Sequence, residues 1–372
     1  EDISRSFLIS CEELQSSFSR GHGSFRKELG MRQIKVLVVE DSLVFRELLV
    51  QNLNKDPAIE VVASARDPYE ARDALIEHNP DVMTLDLQLP RMSGLEFLRK
   101  LMPQHPLPVV VISSLSDKVF EALDAGAVEF VAKPAVADRA QIEAFVRNEL
   151  PIKIKIASIA RISSIKKAAP LVLPEQPERK SDELIVAIGA STGGPEATMN
   201  VLKQFGTDIP GVVLVQHMPA GFTEMYAKRL DDECRVRVKE ARTGDVVEPG
   251  QVLIAPAGDS HMQLVKAGGT YKVVMKKMPK VNGHCPSVDV LFHSVAETAG
   301  SRAIGIILTG MGGDGAKGLL AMRNKGAHTI GQDESTCVVY GMPRVAYDLG
   351  AVEYQEKISD IARRTYTILG KM

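Results

Sequence analysis

Short apolar runs alternate with amphipathic stretches along most of this chain. In the first part, five runs rich in Val and Ile occupy residues 35–40, 60–65, 81–86, 109–113 and 129–133. Continuous apolar runs of this length, separated by helical patterns, are typical of a parallel sheet covered by helices on both faces. Five such units in succession predict a flavodoxin-like, doubly wound α/β domain, which we place at residues 31–150.

The same alternation returns later and predicts a second doubly wound α/β domain, over residues 183–372. Its strand candidates are residues 184–189, 211–217, 251–256, 272–277, 303–310 and 328–333. Helical patterns lie between several of them, at residues 195–204, 222–231, 287–299 and 315–325. The segment PAGDS, residues 256–260, lies between two short apolar runs and predicts a hairpin insertion.

Residues 151–182 interrupt this pattern and predict a linker between the two domains. The segment has four prolines, several lysines and few apolar residue types beyond isoleucine. Ile152, Ile156 and Ile159 fit one face of a helix. Since residues 151–174 carry five basic residues and no acidic one, contact with an anionic membrane surface is an alternative to a solvated linker helix.

The first thirty residues are Ser-rich and unpatterned, and we expect residues 1–30 to be a disordered extension without a function. Their only apolar cluster, Phe7 to Ile9, is too short for the core of a signal peptide. Nowhere does an apolar run approach the roughly 18 residues of a membrane span. The sequence therefore predicts no transmembrane segment.

The composition is that of an ordinary globular protein, with 45% hydrophobic and 25% charged residues among 372. The net charge of −2 gives no overall attraction to nucleic acid, and the second domain has no basic recognition helix. The four cysteines are far apart and form no C-x-x-C pair. This favours a reducing cytoplasm over a disulfide framework or a zinc site.

Acidic residues follow two strands of the first domain at the point where each strand ends. Glu40 and Asp41 follow the first strand, and Asp86 ends the third. Ligands of doubly wound sheets bind beyond the carboxyl ends of the strands, so these carboxylates should converge. Clustered carboxylates repel one another and need a cation, and an oxygen-rich, partly hydrated site suits Mg²⁺.

Two further residues complete this predicted pocket, Ser113 after the fourth strand and Lys133 after the fifth. The lysine can neutralise the acids and hold a phosphoryl oxygen. An Asp carboxylate beside Mg²⁺ is a credible phosphoryl acceptor. Any one of the acids alone would be interpreted as a helix N-cap, but the whole set favours a phosphorylation site.

The motifs VLVVEDS, TLDLQLPRMSG, VVVISS and FVAKP resemble those of response-regulator receiver domains, over residues 34 to about 150. The resemblance implies that Asp86 is the phosphoacceptor. It also implies metal carboxylates at Glu40, Asp41 and Asp86, a switch hydroxyl at Ser113 and a phosphate-sensing lysine at Lys133. The stretch 115–127 is about one helical turn shorter than in similar receivers.

The second domain opens with GASTG, residues 189–193, at the end of an apolar strand. Pro195 follows, and proline is favoured in the first turn of a helix. Ser191 should therefore lie on a strand-to-helix turn, where its hydroxyl can project. The pattern fits the nucleophile elbow G-x-S-x-G, but a Gly-rich loop that cradles a phosphate is the alternative.

A nucleophilic serine needs a base and a group that orients the base. His217 ends the next strand at the same sheet edge, and His261 and His284 on loop-like segments are weaker candidates. Asp314 follows a later strand in a Gly-rich stretch and could orient the base, cap the following helix, or do both. The order Ser, His, Asp differs from that of α/β-hydrolases, so the elbow does not indicate that family.

The motifs GASTGGP, QHMP, PSVDVLFHSVA and LTGMGGDG closely resemble the catalytic domain of the chemotaxis protein-glutamate methylesterases, the CheB family, over about residues 183–370. The resemblance implies Ser191 as nucleophile, His217 as general base and Asp314 as orienting acid. It also suggests the backbone N–H of Met311 in the oxyanion hole, with Thr192 nearby.

Together the two resemblances imply a phosphorylation-regulated hydrolase that removes methyl esters from glutamate side chains of chemoreceptors and also deamidates receptor glutamines. The implied partners are the cytoplasmic helices of methylated chemoreceptors and a chemotaxis histidine kinase as phosphodonor. Mg²⁺ is expected in the receiver and no cofactor for the ester chemistry. Two alternatives stay open: a receiver-regulated esterase with a non-receptor substrate, and a non-enzymatic phosphate- or nucleotide-binding signalling protein.

Overall fold

The structure is a computed structural model that describes residues 32–114, 118–134, 139–162 and 183–372. The extension expected at residues 1–30 lies outside the described residues, as does most of the expected linker.

The N-terminal half contains a five-stranded parallel sheet. Its strands are β1 (Ile34–Val39), β2 (Ile59–Ala65), β3 (Val82–Asp86), β4 (Val109–Ser113) and β5 (Glu129–Ala132). They are arranged in the order β2-β1-β3-β4-β5. Every residue of β3 and β4 is buried, which is why these strands read as unbroken apolar runs. The five strands predicted from the sequence are confirmed to within one residue at each end.

Helices connect and cover these strands. They are α1 (Leu43–Leu53), α2 (Pro68–His78), α3 (Gly94–Leu101), α4 (Lys118–Asp124) and α5 (Arg139–Ala144), followed by a π-helical turn (Phe145–Glu149) and α6 (Leu150–Ser158). Local sequence sets where several of them begin. Before α2, for example, the Asp67 carboxylate accepts from the N–H groups of Tyr69 and Glu70, and Pro68 occupies the first helical position.

Helix α6 extends the N-terminal half beyond residue 150. Leu150, Ile154 and Ala157 are fully buried, and the helix contacts β3, β4 and β5. Of the three isoleucines predicted to share a solvated face, Ile152 and Ile159 are exposed, whereas Ile156 is half-buried against the same core. Helix α6 is therefore packed along one side and is not a solvated linker helix. Its buried stripe is Leu150, Ile154 and Ala157, and not the predicted stripe of isoleucines.

The C-terminal half contains a seven-stranded parallel sheet. Its strands are β6 (Ile185–Ala190), β7 (Gly211–Gln216), β8 (Arg237–Glu240), β9 (Gln251–Ile254), β12 (Ala303–Ile307), β13 (His328–Gln332) and β14 (Tyr354–Glu356). The order across the sheet is β14-β13-β12-β6-β7-β9-β8. The sequence patterns predicted all of them except β8 and β14, which are short, partly exposed edge strands.

A separate antiparallel hairpin is formed by β10 (Ser260–Ala267) and β11 (Thr270–Lys277). Its two-residue turn is Gly268-Gly269, with positive φ at both glycines, as tight hairpin turns require. The expectation of a hairpin at residues 256–260 was wrong, because that segment leads from β9 into the first residue of β10, and β9 and β10 do not pair with each other. The apolar run 272–277 likewise belongs to this hairpin and not to the main sheet.

Six helices pack on the second sheet within its described residues: α7 (Gly194–Leu202), α8 (Phe222–Glu233), α9 (Val288–Ala299), α10 (Ala316–Asn324), α11 (Met342–Asp348) and α12 (Ile361–Leu369). The four predicted helices are confirmed, and α11 and α12 were missed. Across the described part of the chain, no helix combines the length and the apolar character needed to cross a bilayer.

The two halves contact each other through α4 and β5 on one side and α8 on the other. Phe120 stacks on Tyr226 with ring centroids 5.5 Å apart, and the rings of Phe130 and Phe222 lie 4.8 Å apart. Arg229 adds an ion pair to Asp124 of the N-terminal half at 2.7 Å. The N-terminal half thus packs against the helix that follows β7.

Candidate active site

Ser191 and His217 each follow the last residue of neighbouring parallel strands. The register pairs Ala190 with Gln216, so the next residues lie side by side at the carboxyl edge of the sheet. The backbone N–H of His217 donates to the Ala190 carbonyl at 3.1 Å, and Gln216 Nε2 donates to the Ser191 carbonyl at 2.8 Å. These bonds fix both backbones against each other.

The turn from Ser191 into α7 depends on a glycine. Gly193 has φ +73° and occupies the cap position before the helix. A Cβ there would lie 2.6 Å from the Val338 side chain, so both the backbone conformation and the space require glycine. The sequence expectation of a strand-to-helix turn at Ser191 is confirmed, and Ser191 is 8% exposed.

The loop after β12 approaches this turn from the other side. Thr309 accepts a hydrogen bond from the backbone N–H of Ser191 at 3.0 Å through its carbonyl. A Cβ on Gly310 would lie 2.7 Å from the Ser191 Cβ and 2.4 Å from Met342 Sδ. Only glycine allows this approach, which packs the start of the loop that leads to Asp314 against Ser191.

The Asp314 carboxylate is buried and accepts hydrogen bonds on both oxygens. Oδ2 accepts from His217 Nε2 at 2.9 Å and from the Val288 N–H at 2.7 Å. Oδ1 accepts from Asn282 Nδ2 and Ser287 Oγ, both at 2.7 Å. Burial alone would raise the pKa of the Asp314 carboxyl, but the hydrogen bonds from His217, Asn282 and Ser287 outweigh it and hold the pKa well below its usual range.

Asp314 does not cap the helix that follows it. Helix α10 begins after Gly315, which has a left-handed conformation, and no side chain caps it. Asp314 instead accepts from Val288, the first residue of α9, where the positive end of the helix dipole favours a carboxylate. The capping role expected from sequence neighbours therefore belongs to a helix from another part of the chain.

The His217 ring has one bound and one unbound nitrogen. Nε2 faces Asp314, and Nδ1 is buried without a hydrogen-bond partner among the described residues. When Nε2 carries the proton that it donates to the carboxylate, the lone pair of Nδ1 is free to accept another. The arrangement can therefore take a proton from a hydroxyl that reaches Nδ1.

The two weaker histidine candidates have different surroundings. His261 is fully buried between structural partners, since Nδ1 accepts from the Ser287 N–H and Nε2 lies 3.1 Å from the Pro279 carbonyl. The His284 ring instead stacks on the His217 ring, with centroids 3.7 Å apart and planes 7° apart. Both residues come from loop-like sequence, which is why the sequence could not separate them.

Thr192 and Met311, the residues suggested for the oxyanion site, lie in the loops that follow β6 and β12. Met311 is half-buried in the loop that leads to Asp314. Thr192 is buried, and its hydroxyl donates to Glu129 Oε2 of the N-terminal half at 2.6 Å. Lys153 of α6 pairs with the same oxygen at 2.9 Å. No sequence pattern indicates a role for Glu129, since a glutamate at the start of a strand in another domain belongs to no motif.

The acidic pocket of the N-terminal half lies at the carboxyl ends of β1 and β3. Carboxylate oxygens of Glu40, Asp41 and Asp86 all lie within 4.8 Å of one another. Lys133 Nζ lies 2.8 and 2.9 Å from the two Glu40 oxygens and also contacts Asp86. Ser113 is buried at the end of the adjacent strand β4.

Electrostatics make this pocket receptive to a cation. Burial, with repulsion from Asp86, raises the pKa of Glu40 to about 7 despite its hydrogen bonds from Lys133. Burial alone would lower the pKa of Lys133, but its hydrogen bonds to Asp86 and Glu40 raise it. Three carboxylates, one of them exposed at Asp41 where water ligands can complete the shell, fit a hard cation such as Mg²⁺.

Two family models match this chain. The CheB methylesterase family matches residues 186–365, and the response regulator receiver domain family matches residues 36–147. The two matches coincide with the two sheets, and each covers one of the two side-chain clusters.

Several known proteins are similar to the chain over most of its length. The "Protein-glutamate methylesterase/protein-glutamine glutaminase 2" of Syntrophomonas wolfei is 57% identical and covers 92% of this chain and 99% of its own. The "Protein-glutamate methylesterase/protein-glutamine glutaminase" of Syntrophotalea carbinolica is 49% identical over 91% of this chain and 99% of its own. The solved catalytic domain of Thermotoga maritima CheB methylesterase is 39% identical, covers 50% of this chain and 98% of its own, and has a TM-score of 0.49.

Proposed function

Because the chain belongs to the protein-glutamate methylesterase/protein-glutamine glutaminase family, we propose that it hydrolyses glutamate γ-methyl esters on chemoreceptors with Ser191, His217 and Asp314. The observation that carries this assignment is the 2.9 Å contact between His217 Nε2 and Asp314 at the sheet edge that also holds Ser191. The same groups deamidate receptor glutamines.

In this mechanism Ser191 attacks the ester carbonyl while His217 Nδ1 takes the hydroxyl proton. Nδ1 is the acceptor because Nε2 is bonded to Asp314. Asp314 holds the ring in that tautomer and stabilises the imidazolium that forms. Its ring of hydrogen bonds supports this role, since a carboxylate with satisfied oxygens keeps both its charge and its orientation.

The tetrahedral intermediate carries a negative oxygen, and we assign its stabilisation to the backbone N–H of Met311, with Thr192 beside it. One such donor is typically worth about 3 kcal/mol. His217 then gives its proton to the departing methanol, or to ammonia when the substrate is glutamine. Water attacks the acyl-serine in the second half of the reaction and releases glutamate.

The acidic pocket regulates this activity. Asp86 accepts the phosphoryl group, and Glu40, Asp41 and Asp86 would hold Mg²⁺, which neutralises charge on phosphoryl oxygens. The added phosphoryl charge draws Lys133 away from the carboxylates, and Ser113 at the end of β4 completes the switch. Receptor helices are the substrate, and a chemotaxis histidine kinase is the phosphodonor. The three free cysteines in the described part suit a reducing cytoplasm.

The N-terminal half limits access of large substrates until it is phosphorylated. Its Glu129 accepts a hydrogen bond from the hydroxyl of Thr192, the residue after the proposed nucleophile. Glu129 begins β5, and Lys133 directly follows the same strand, so a shift at the phosphorylation site is carried along one short strand to the serine turn. The stacked pair Phe120–Tyr226 holds the same interface.

The hydrolase assignment is tested by methanol release from methylated receptor. Ser191→Ala should abolish it, while Ser301→Ala, an exposed serine at the opposite edge of the sheet, should retain it. Receptor and a generic chromogenic ester are assayed side by side, because wild-type activity on the ester without activity on the receptor would indicate a different natural substrate. Retained methanol release in Ser191→Ala would refute the assignment.

Regulation is tested separately with acetyl phosphate and Mg²⁺. The phosphodonor should raise methanol release by the wild type but not by Asp86→Asn. If the wild type and Asp86→Asn respond identically, the regulatory proposal fails while the hydrolase assignment stands.

A further inference from the structure

A second imidazole touches His217 and has no part in the mechanism above. The rings of His217 and His284 are parallel, with centroids 3.7 Å apart and planes 7° apart. His284 lies in the segment between the hairpin and α9, far from His217 in sequence. Its contact with the proposed base is therefore created by the tertiary structure alone.

A single tight turn supplies partners to both the base and the acid. The turn Val281 to His284 is closed by two reciprocal backbone hydrogen bonds, at 3.0 and 2.9 Å. Within it, Asn282 has φ +52° and donates to Asp314 Oδ1 at 2.7 Å. One backbone unit therefore sets the position of Asp314 through Asn282 and that of His217 through His284.

We propose that His284 is a positioning residue for the proton-transfer step. Its ring face holds the His217 ring in the plane that directs Nε2 to Asp314 and Nδ1 to the serine side, and it stabilises the protonated form of His217. This inference rests on the proposed role of His217 as the general base.

The stacked geometry favours this role over a proton relay. Two rings in face-to-face contact do not point their nitrogens at each other, so no hydrogen bond joins them. The electron-rich face of a neutral aromatic ring attracts a cation that lies above it. An imidazolium at position 217 would lie over such a face, provided that His284 itself stays neutral.

The surroundings keep His284 neutral. Burial, followed by repulsion from His217, lowers the pKa of His284 to about 3, and the positive charges of Lys153 and Lys280 act in the same direction. Among these described residues, the Asp314 carboxylate acts in the opposite direction. His284 is therefore uncharged whenever His217 takes up a proton at neutral pH.

The test compares His284→Phe with His284→Leu in the full-length protein. Phenylalanine keeps an aromatic face and loses the ring nitrogens, whereas leucine keeps apolar bulk and loses the face. We expect His284→Phe to retain kcat within about threefold. We expect His284→Leu to lower kcat about tenfold with KM changed less than twofold, and to move the acidic limb of kcat/KM down by about half a pH unit.

A second readout does not depend on activity. In a Ser191→Ala background, the His217 Hε1 proton signal should carry an upfield ring-current shift that His284→Phe keeps and His284→Leu loses. Identical signals and identical rates for the two variants would overturn the proposal, as would inactivity of both with an unchanged thermal midpoint. Full activity of His217→Gln would instead refute the proposed function.

Discussion

The two side-chain clusters both lie at the carboxyl ends of parallel strands, yet their buried carboxylates are balanced in different ways. In the N-terminal pocket, three carboxylates crowd together and Lys133 contacts two of them. In the C-terminal site, the Asp314 carboxylate is surrounded by donors from side chains and backbone, and one of them, Asn282, also donates to the buried Asp289 carboxylate. The negative charge of the N-terminal pocket exceeds the positive charge of Lys133, so a bound cation or phosphoryl group can change its balance. The Asp314 carboxylate already has a hydrogen-bond donor on each oxygen.

The difference appears in the direction of the pKa shifts. In the N-terminal pocket, burial dominates at Glu40 and raises its pKa to about 7. Hydrogen bonds dominate at Asp314 and lower its pKa, although it is just as buried. At these two carboxyls the balance among burial, neighbouring charges and hydrogen bonds thus decides the direction of the pKa shift. A switch gains from a carboxyl that responds to its surroundings, and a catalytic site gains from one that does not.

Removing the negative charge of Asp314 should have the largest effect on activity. Asp314→Asn keeps the shape but removes the charge that fixes the His217 tautomer, so we expect kcat for methanol release to fall roughly 10³- to 10⁴-fold. Asp348→Asn, at an exposed ion pair with Arg344, is the matched control and should have no effect. A loss below tenfold would show that catalysis does not depend on the Asp314 charge, and would remove the proposed difference between the two sites.

Adding one methyl group at the serine turn should come next. In Gly310→Ala the new Cβ would meet Ser191 and Met342, and we expect the free energy of unfolding to fall by about 1–3 kcal/mol. Urea denaturation measures this. Gly258→Ala, where a Cβ meets nothing within 4 Å, should change it by much less. Equal effects would mean that the close packing of the C-terminal site is not what sets its geometry.

The Glu40 carboxyl should change charge near neutral pH, whereas the Asp314 carboxyl should stay charged there. Glu40 is protonated below its pKa of about 7, and a proton competes with a metal ion for the carboxylate. Mg²⁺ affinity should therefore fall as pH drops below 7, by up to about tenfold per unit, as measured by calorimetry.

Two variants separate that effect from simple loss of a ligand. Glu40→Gln should flatten the pH dependence, whereas Asp41→Asn should weaken binding and keep the slope. A slope that survives in Glu40→Gln would assign the proton to another group and remove the contrast between the two carboxyls.

The smallest expected effect is at the contact between the halves. Glu129→Gln removes the charge that pairs with Lys153 and weakens the acceptor for the Thr192 hydroxyl. We expect basal methanol release without phosphodonor to rise about threefold, since such a contact is worth up to about 1 kcal/mol. Glu143→Gln, at an exposed pair with Arg147, is the control. An unchanged basal rate would show that the Glu129 contact does not restrain the serine turn, and would contradict the proposed coupling through β5.

The sequence alone determined both sheets and the residues that lie at their strand ends. Apolar runs of strand length appear wherever a parallel strand is buried on both faces, and the residue after each run must lie at the ligand-binding edge. Glu40, Asp86, Ser191 and His217 could be chosen on that basis. Short edge strands such as β8 and β14 escaped, because half-exposed strands do not produce the apolar run.

Only the tertiary structure decided which distant loops meet these residues. Asn282 and His284 reach Asp314 and His217 from a turn beyond the hairpin, and Glu129 reaches Thr192 from the other half. Local patterns report burial and strand ends, which depend on neighbours in sequence. The partner of a buried polar group is set by packing between segments far apart in the chain, and no local pattern records it.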